Sequence, residues 1–439
     1  MKTWIAAAIL ATPPLVGAYA QTPAAPVTWI HAGHLIDRPG EAPRGPSTIV
    51  VRDGKVAEIH DGLVPAEAGA TLIDLSRATV LPGLIDMHVH LLGIGGDPLR
   101  ARLLRLTTEP EDEVFYGAGN ARRTLEAGFT TVRDLGGSAR GIRALRDAIE
   151  RGDVTGPTIV NAGAPISVTG GHGDPLNGLA EPFAHAVAET VENTCDGPDD
   201  CRRAVRRQIG LGAQVIKFMA TGGVLSNVSG GLGRAMQPEE MKAIVETAHA
   251  LGRKTAAHSH AAEGTRAAVE AGVDTIEHGT FLDDATIKAM KARGTWLVPT
   301  MLAPRAALAQ ARGGMLPPAT IPKAEAAGAA AIDSHRRAIA AGVKIAFGTD
   351  TGVSKHGDNA QEFALMVAAG MSPAEAIKAA TVGAAEALDR SAQFGRIAPG
   401  MPADIIAVDG DPLADVRQLE DVDFVMKGGR IVKQEGAAQ

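Results

Sequence analysis

Aromatic side chains are scarce in this chain, amounting to 3% of 439 residues. Lys and Arg are scattered instead of gathered into a stripe, and the formal net charge is −7. Without stacking platforms or a basic face, nucleic acid is not expected as a partner. Past the N-terminus no apolar run has the length that spanning a bilayer requires. Cysteine is limited to Cys195 and Cys201 in "TCDGPDDC"; two thiols without a local histidine or a second pair make a poor zinc site. In an exported chain an even count favours a disulfide, here in a polar loop where a short bridge closes without disturbing a core. No Gly-rich dinucleotide fingerprint opens a helix after the first strand of the central region.

What is present begins with "MKTWIAAAILATPPLVGAYAQ": Lys2, a Pro-broken apolar stretch, then Ala18-Tyr19-Ala20 before Gln21. That pattern predicts a signal peptide over residues 1–20, with a soluble, exported product, periplasmic or secreted, that leaves the membrane once the signal is removed. The alternative is an N-terminal anchor, for which the run is short. The 45% hydrophobic and 21% charged content is that of a globular protein. Its length calls for one large domain plus something smaller.

Short apolar alternations broken by Asp-Gly and Pro-Gly, in "STIVVRDGKVAEI" and "ATLIDLSRATVLPGLID", read as hairpins, and the texture returns in "ADIIAVDGDPL" and "DFVMKGGRIVK". Between them "LIDMHVH", "FTTVRDLGG", "TIVNAGAPIS", "QVIKFMATGG", "KTAAHSHA", "DTIEHGTF", "TWLVPTM" and "KIAFGTD" make eight candidate strands, alternating with amphipathic stretches such as "MKAIVETAHALG" and "TRAAVEAGV". Eight β/α units predict an α/β fold of the (β/α)₈ TIM barrel type; a doubly wound open sheet is the alternative. Ser372-Pro373-Ala374-Glu375 is a capping box with proline at the first helical position, predicting a long helix through "AIKAATVGAAEAL".

Barrel chemistry sits at the C-terminal ends of strands. There the sequence places His88 and His90, Lys217 within "VIKFMA", His258, His278 and Asp350. His88 and His90 share a face, because alternate side chains in a strand do. Taken singly, each histidine could be a hydrogen-bonded core residue and Asp350 a helix cap. Lys217, flanked by Val215, Ile216 and Phe218, would lose hydration without a partner. A common purpose unites the six. Four imidazoles and a carboxylate can hold two divalent ions, and a desolvated lysine can react as its neutral amine with carbon dioxide to give an anionic bidentate carbamate.

These residues, framed by "LPGLIDMHVH" and "GMPADIIAVDGDPL" and accompanied by "TTVRD", "TGGHGD", "IEHGT" and "GTD", resemble the amidohydrolase superfamily over essentially the whole mature chain. Within it the chain is similar to the binuclear-zinc branch of prolidase-like Xaa-Xaa carboxypeptidases and ochratoxin-hydrolysing amidases. The resemblance implies a small β-sandwich from residues 21–80 and 391–439 beside a metal-dependent barrel at 81–390. It implies His88, His90 and Asp350 on one metal, His258 and His278 on the other, and Lys217 between them as N6-carboxylysine. His260 shares a face with His258 and is the alternative ligand; otherwise it contacts substrate, as His172 in the loop after the third strand would, unless it is an ordinary loop histidine.

The implied reaction is amide hydrolysis by a hydroxide bridging two metals, with Asp350 passing the proton to the leaving amine. Its substrates would be dipeptides or N-acyl amino acids, ochratoxin A among the candidates, cleaved to release a C-terminal amino acid. Zinc suits the donors, without excluding cobalt, manganese or iron. A homo-oligomer, in this branch often an octamer, is also implied. A deaminase or cyclic-amide hydrolase on the same barrel gives Lys217 no task, and a non-catalytic scaffold would be expected to have lost ligands.

Overall fold

Asp53 and Gly54 both take left-handed backbone angles, φ 48° and 75°, and turn the chain between two antiparallel strands. The computed structural model describes residues 27–226, 231–316 and 318–435; the expected signal peptide lies outside the described residues. The chain opens with β1 (Thr28–Leu35), β2 (Ser47–Arg52), β3 (Lys55–Asp61) and β4 (Thr71–Pro82). The β2–β3 hairpin is as the Asp-Gly signal predicts. Pro82-Gly83 behaves differently: the chain runs straight on into β5 (Leu84–Val89) instead of folding back. Gly83 is required at this passage, since a Cβ there would lie 2.1 Å from the Thr130 hydroxyl.

Seven of the eight expected central strands form: β5, β6 (Phe129–Asp134), β7 (Thr158–Asn161), β8 (Val215–Met219), β9 (Lys254–Ala261), β10 (Thr275–Phe281) and β11 (Trp296–Val298). Their pairings are all parallel, in a three-stranded sheet β5-β6-β7 and a four-stranded sheet β11-β10-β9-β8. The two are linked by single bridges, Ile166 to Phe218, Leu297 to Ile345 and Thr351 to Val89. A continuous closed ladder of eight strands was expected, but "KIAFGTD" is not a regular strand. The segment keeps some contacts with its neighbours, Ala346 N–H donating to the Leu297 carbonyl and Asp350 N–H to the His88 carbonyl, but Thr349 N–H turns to Asp86 and breaks the run. Side chains that compete for backbone donors in this way interrupt a ladder.

The Ala-rich stretches between strands are helices, including Pro238–Ala250 and Ala262–Ala271. Ser372 and Glu375 form the expected capping box, and the helical run they start contains a π-turn at Ala379–Gly383. Phe129, Phe347 and Phe363 stack in series within a buried apolar cluster beneath the first sheet's helices.

The last strands, β12 (Ile405–Asp409), β13 (Phe424–Lys427) and β14 (Arg430–Gln434), join the first four in one sheet ordered β14-β13-β12-β4-β1-β2-β3. β4 is the junction, parallel to β1 and antiparallel to β12. This is a single mixed seven-stranded sheet where a sandwich was expected. Its buried side includes Ile30, Ile49, Ile73, Val80, Ile405 and Phe424. Cys195 and Cys201 are disulfide-bonded. Both are buried and pack with Ile166 and Phe218, so the bridge belongs to the core, in contrast to the expected peripheral loop.

Candidate metal centre

Each candidate side chain is delivered by the end of a strand. His88 lies in β5 and His90 just beyond it; Lys217 is in β8, His258 and His260 in β9, and His278 in β10. Asp350 closes the irregular eighth segment, its N–H donating to the His88 carbonyl at 2.7 Å. Asp350, His278 and Thr300 are three of the five described non-glycine residues with positive φ, at 58°, 70° and 49°. Such angles cost of order 1–3 kcal/mol each and persist where surrounding structure enforces them.

The structure brings the predicted side chains together. Ring centroids are 5.3 Å apart for His88–His90, 5.1 Å for His88–His278 and 4.7 Å for His258–His278. Asp350 Oδ1 lies 3.5 Å from His88 Nε2 and 3.1 Å from His90 Nε2. Donor atoms of His88, His278 and Asp350 all fall within 4.8 Å of one another. His260 is also inside the cluster, 4.7 Å from His258 and 5.0 Å from His278, and the His172 ring lies 4.4 Å from His258, tilted by 41°.

The rings of His88, His90, His258, His260 and His278 each have one nitrogen engaged away from the cluster's centre, whereas Nδ1 of His172 is buried with no partner among the described residues. Nδ1 of His88 meets Glu277 at 2.9 Å, Nδ1 of His90 the Gly136 carbonyl at 2.9 Å, and Nδ1 of His278 the Thr300 hydroxyl at 2.7 Å. Nδ1 of His260 meets the Thr280 hydroxyl at 2.8 Å. His258 is turned the other way, with Nε2 3.2 Å from the Gly222 carbonyl and Nδ1 left free. Fixing one nitrogen so that the other faces a metal is the usual support of a ligating histidine. Either residue of the β9 pair can therefore serve, His258 through Nδ1 or His260 through Nε2.

Burial sets the protonation states. It draws His88 down to about 4, helped by the charge of Lys217, and His260 to about 3; His258 and His278 are held well below the ordinary value. Neutral imidazole is the form that binds metal. Burial works against ionisation of Asp350, but His88 and His90 outweigh it and keep the carboxyl low. Lys217 is 2% exposed and, among the described residues, has no carboxylate within ion-pair distance. Burial lowers it to about 8 against the pull of Glu277 and Asp350. His90 is the exception: burial opposes its charge, but the hydrogen bond to Asp350 outweighs it and raises the ring above its ordinary value. A donor set of imidazoles, most of them neutral, one carboxylate and a readily deprotonated amine fits divalent cations.

Two residues that sequence reasoning assigned no role hold the centre from below. Glu277 is fully buried between His88 and Arg133, whose Nη2 donates to it at 2.7 Å. Arg133 also donates to the Met87 carbonyl at 2.6 Å, fixing β5. Both stood inside quoted motifs, "TTVRD" and "IEHGT"; charges of opposite sign within apolar strand runs were the available signal. His278 is further held through its carbonyl, which accepts from His335 at 2.6 Å. Thr300 is followed by Met301 and Leu302, whose N–H groups donate to buried Glu362.

Known proteins resemble this chain over most of its length. The model of the amidohydrolase family matches residues 79–432. Ochratoxinase from Aspergillus niger is 34% identical over 434 residues, covering 95% of this chain and 89% of its own. Among solved structures, a Xaa-Pro dipeptidase with methionine bound in its active site superposes with a TM-score of 0.87 at 40% identity, covering 92% of this chain and 99% of that one. A prolidase complexed with N-methylphosphonate-L-proline gives 0.84 at 31%, covering 93% and 100%. Cluster, strand ends and family match coincide, and the chain is a member of the amidohydrolase family.

Proposed function

We propose that the protein is a binuclear metal-dependent hydrolase that cleaves dipeptides or N-acyl amino acids and releases their C-terminal amino acid. Ochratoxin A, itself an N-acyl amino acid, falls in this class. The observation that carries the reading is Lys217: a buried lysine with no ion-paired carboxylate among the described residues, within the field of Asp350 and a largely neutral set of imidazoles, is well placed to serve as a carbamate. Kinship with ochratoxinase and with prolidase-like structures supports the choice of bond. His88, His90 and Asp350 would hold one ion, His258 and His278 the other, and carboxylated Lys217 would bridge them.

Divalent ions bound there, zinc by donor type, would acidify a water towards neutrality and polarise the scissile carbonyl. Asp350, kept ionised by its histidine neighbours, accepts the proton of the attacking water and returns it to the departing amine. His172 and His260 line the approach and contact substrate. Glu277 and Thr300 keep two rings in register while charge moves. The bridges that link the two parallel sheets support completion of the family's barrel around this centre.

In the same proposal, residues 21–80 and 391–439 are the smaller β domain and 81–390 the catalytic one; the protein is exported and assembles as a homo-oligomer, with the octamer as the candidate state. Exposed Leu99, Leu103 and Phe115 on consecutive helices support self-association. The test measures bound metal and amino-acid release from a panel of dipeptides and N-acyl amino acids. Wild-type protein should carry about two ions per chain, and Lys217→Ala should lose both metal and turnover. Full activity in Lys217→Ala would remove the carbamate.

A further inference from the structure

A second lysine stands at the edge of the cluster. Lys323 lies in the first turn of the helix Ile321–Ala340. Its Nζ donates to the Gly223 carbonyl at 3.1 Å and also to the Ser226 carbonyl. Gly223 sits directly against His172: a Cβ at this glycine would come within 2.3 Å of the ring. The neighbouring Gly222 carbonyl meets His258. Lys323 is thus one peptide removed from two rings of the site, and its charge depresses both His172 and His260.

The ammonium is partly buried and, among the described residues, has no carboxylate in ion-pair contact. Desolvation is the cause that lowers it, with no anion acting in the other direction. An ammonium has three donors, and two neutral carbonyls occupy two of them. Among the described residues nothing meets the third donor, and the positive charge beside the His172 ring is uncompensated. An anionic oxygen would satisfy both through a charge-assisted hydrogen bond.

We propose that Lys323 binds the free carboxylate of the substrate's C-terminal amino acid, restricting the enzyme to bonds one residue from a carboxylate terminus. This rests on the amide-hydrolase reading above and adds the residue that sets its substrate class.

The test compares wild type, Lys323→Gln and Lys323→Arg at equal metal content. Turnover is measured on N-acetyl-L-methionine and on its primary amide, and binding of L-methionine and L-methioninamide is measured by calorimetry. Lys323→Gln keeps a donor for the loop carbonyls and removes the charge. It should lower the acid-over-amide preference in kcat/KM by about tenfold or more, mainly through KM, as loss of a charged hydrogen bond does. Lys323→Arg should retain part of that preference. Equal losses on acid and amide, or an unchanged preference, would assign Lys323 a merely structural role and overturn the proposal. Should wild type cleave neither substrate yet bind L-methionine over its amide through Lys323, the carboxylate site stands and the hydrolase reading fails. Absence of any charge preference in binding overturns the carboxylate site.

Discussion

Substituting Glu277 by Gln keeps the shape of the side chain and removes its charge, leaving Arg133 buried at 1% exposure without a counter-ion. Breaking a buried pair from one side costs about 3–5 kcal/mol. Protonation gives a second route to the size of the effect. Burial favours the neutral acid, but Arg133 and His88 overcome it and hold the carboxyl at about 2, against an ordinary 4.5; that difference corresponds to about 3 kcal/mol. Because the folded value is depressed, this stability is present above pH 4.5 and is lost as pH falls towards 2. With an unfolding entropy of about 2.1 cal/mol/K per residue, a chain this long changes by about 0.9 kcal/mol per degree, so a unitary melt should shift down by roughly 3–6 °C. Scanning calorimetry at pH 7 would measure it. The variant should also bind metal about 10–100-fold more weakly, because its single amide oxygen cannot accept from both His88 and Arg133 and the charge that orients His88 is gone. A double-mutant cycle with Arg133→Met should show strong coupling, the double variant costing less than the sum of the singles. A melt within 1 °C or so of wild type at pH 7, or strict additivity in the cycle, would refute the reasoning.

Thr300→Val removes the hydroxyl that engages His278 Nδ1 with little change in volume. Metal affinity should fall by about one to two orders of magnitude with the fold retained, as chelator competition would measure; unchanged affinity would show that Thr300 does not orient the ring. Replacing both Cys195 and Cys201 by Ala should cost about 2 kcal/mol through release of a short loop, or roughly 2 °C in the melt, and somewhat more through the buried cavity it leaves. An unchanged melting curve would mean that the bridge constrains nothing the core does not already fix.

Much of this centre was legible because strand periodicity and residue chemistry converge on it. His88 and His90, two apart at a strand end, could be placed on one face without any structure, and Lys217 in an apolar run could be identified as needing a partner. The glycine turn between β2 and β3 was equally plain. Pro82-Gly83 was not: the same dipeptide serves as turn or as passage, and the close approach of Thr130 comes from a distant segment. The eighth strand was misjudged for a similar reason. "KIAFGTD" has strand-like composition, but its Thr349 amide is claimed by Asp86, which alternation does not reveal. Arg133 and Glu277 were visible as charges in apolar runs, yet only the fold shows that they answer one another. Orientation was beyond reach as well. Sequence set His258 and His260 side by side but could not say that one ring turns Nε2, and the other Nδ1, away from the centre.

The central strand β4 waits on residues synthesised last: Pro82 pairs with Ile405 and Ala78 with Asp409. While the polypeptide is still being made, one edge of this strand has no partner, and its exposed amides and carbonyls could recruit another chain. Such distant pairing is slow to form and leaves an aggregation-prone interval. Truncation before β12 should consequently leave a sticky, incomplete platform beneath otherwise intact chemistry, so expression trials should preserve the C-terminal strands even though they contribute none of the proposed ligands.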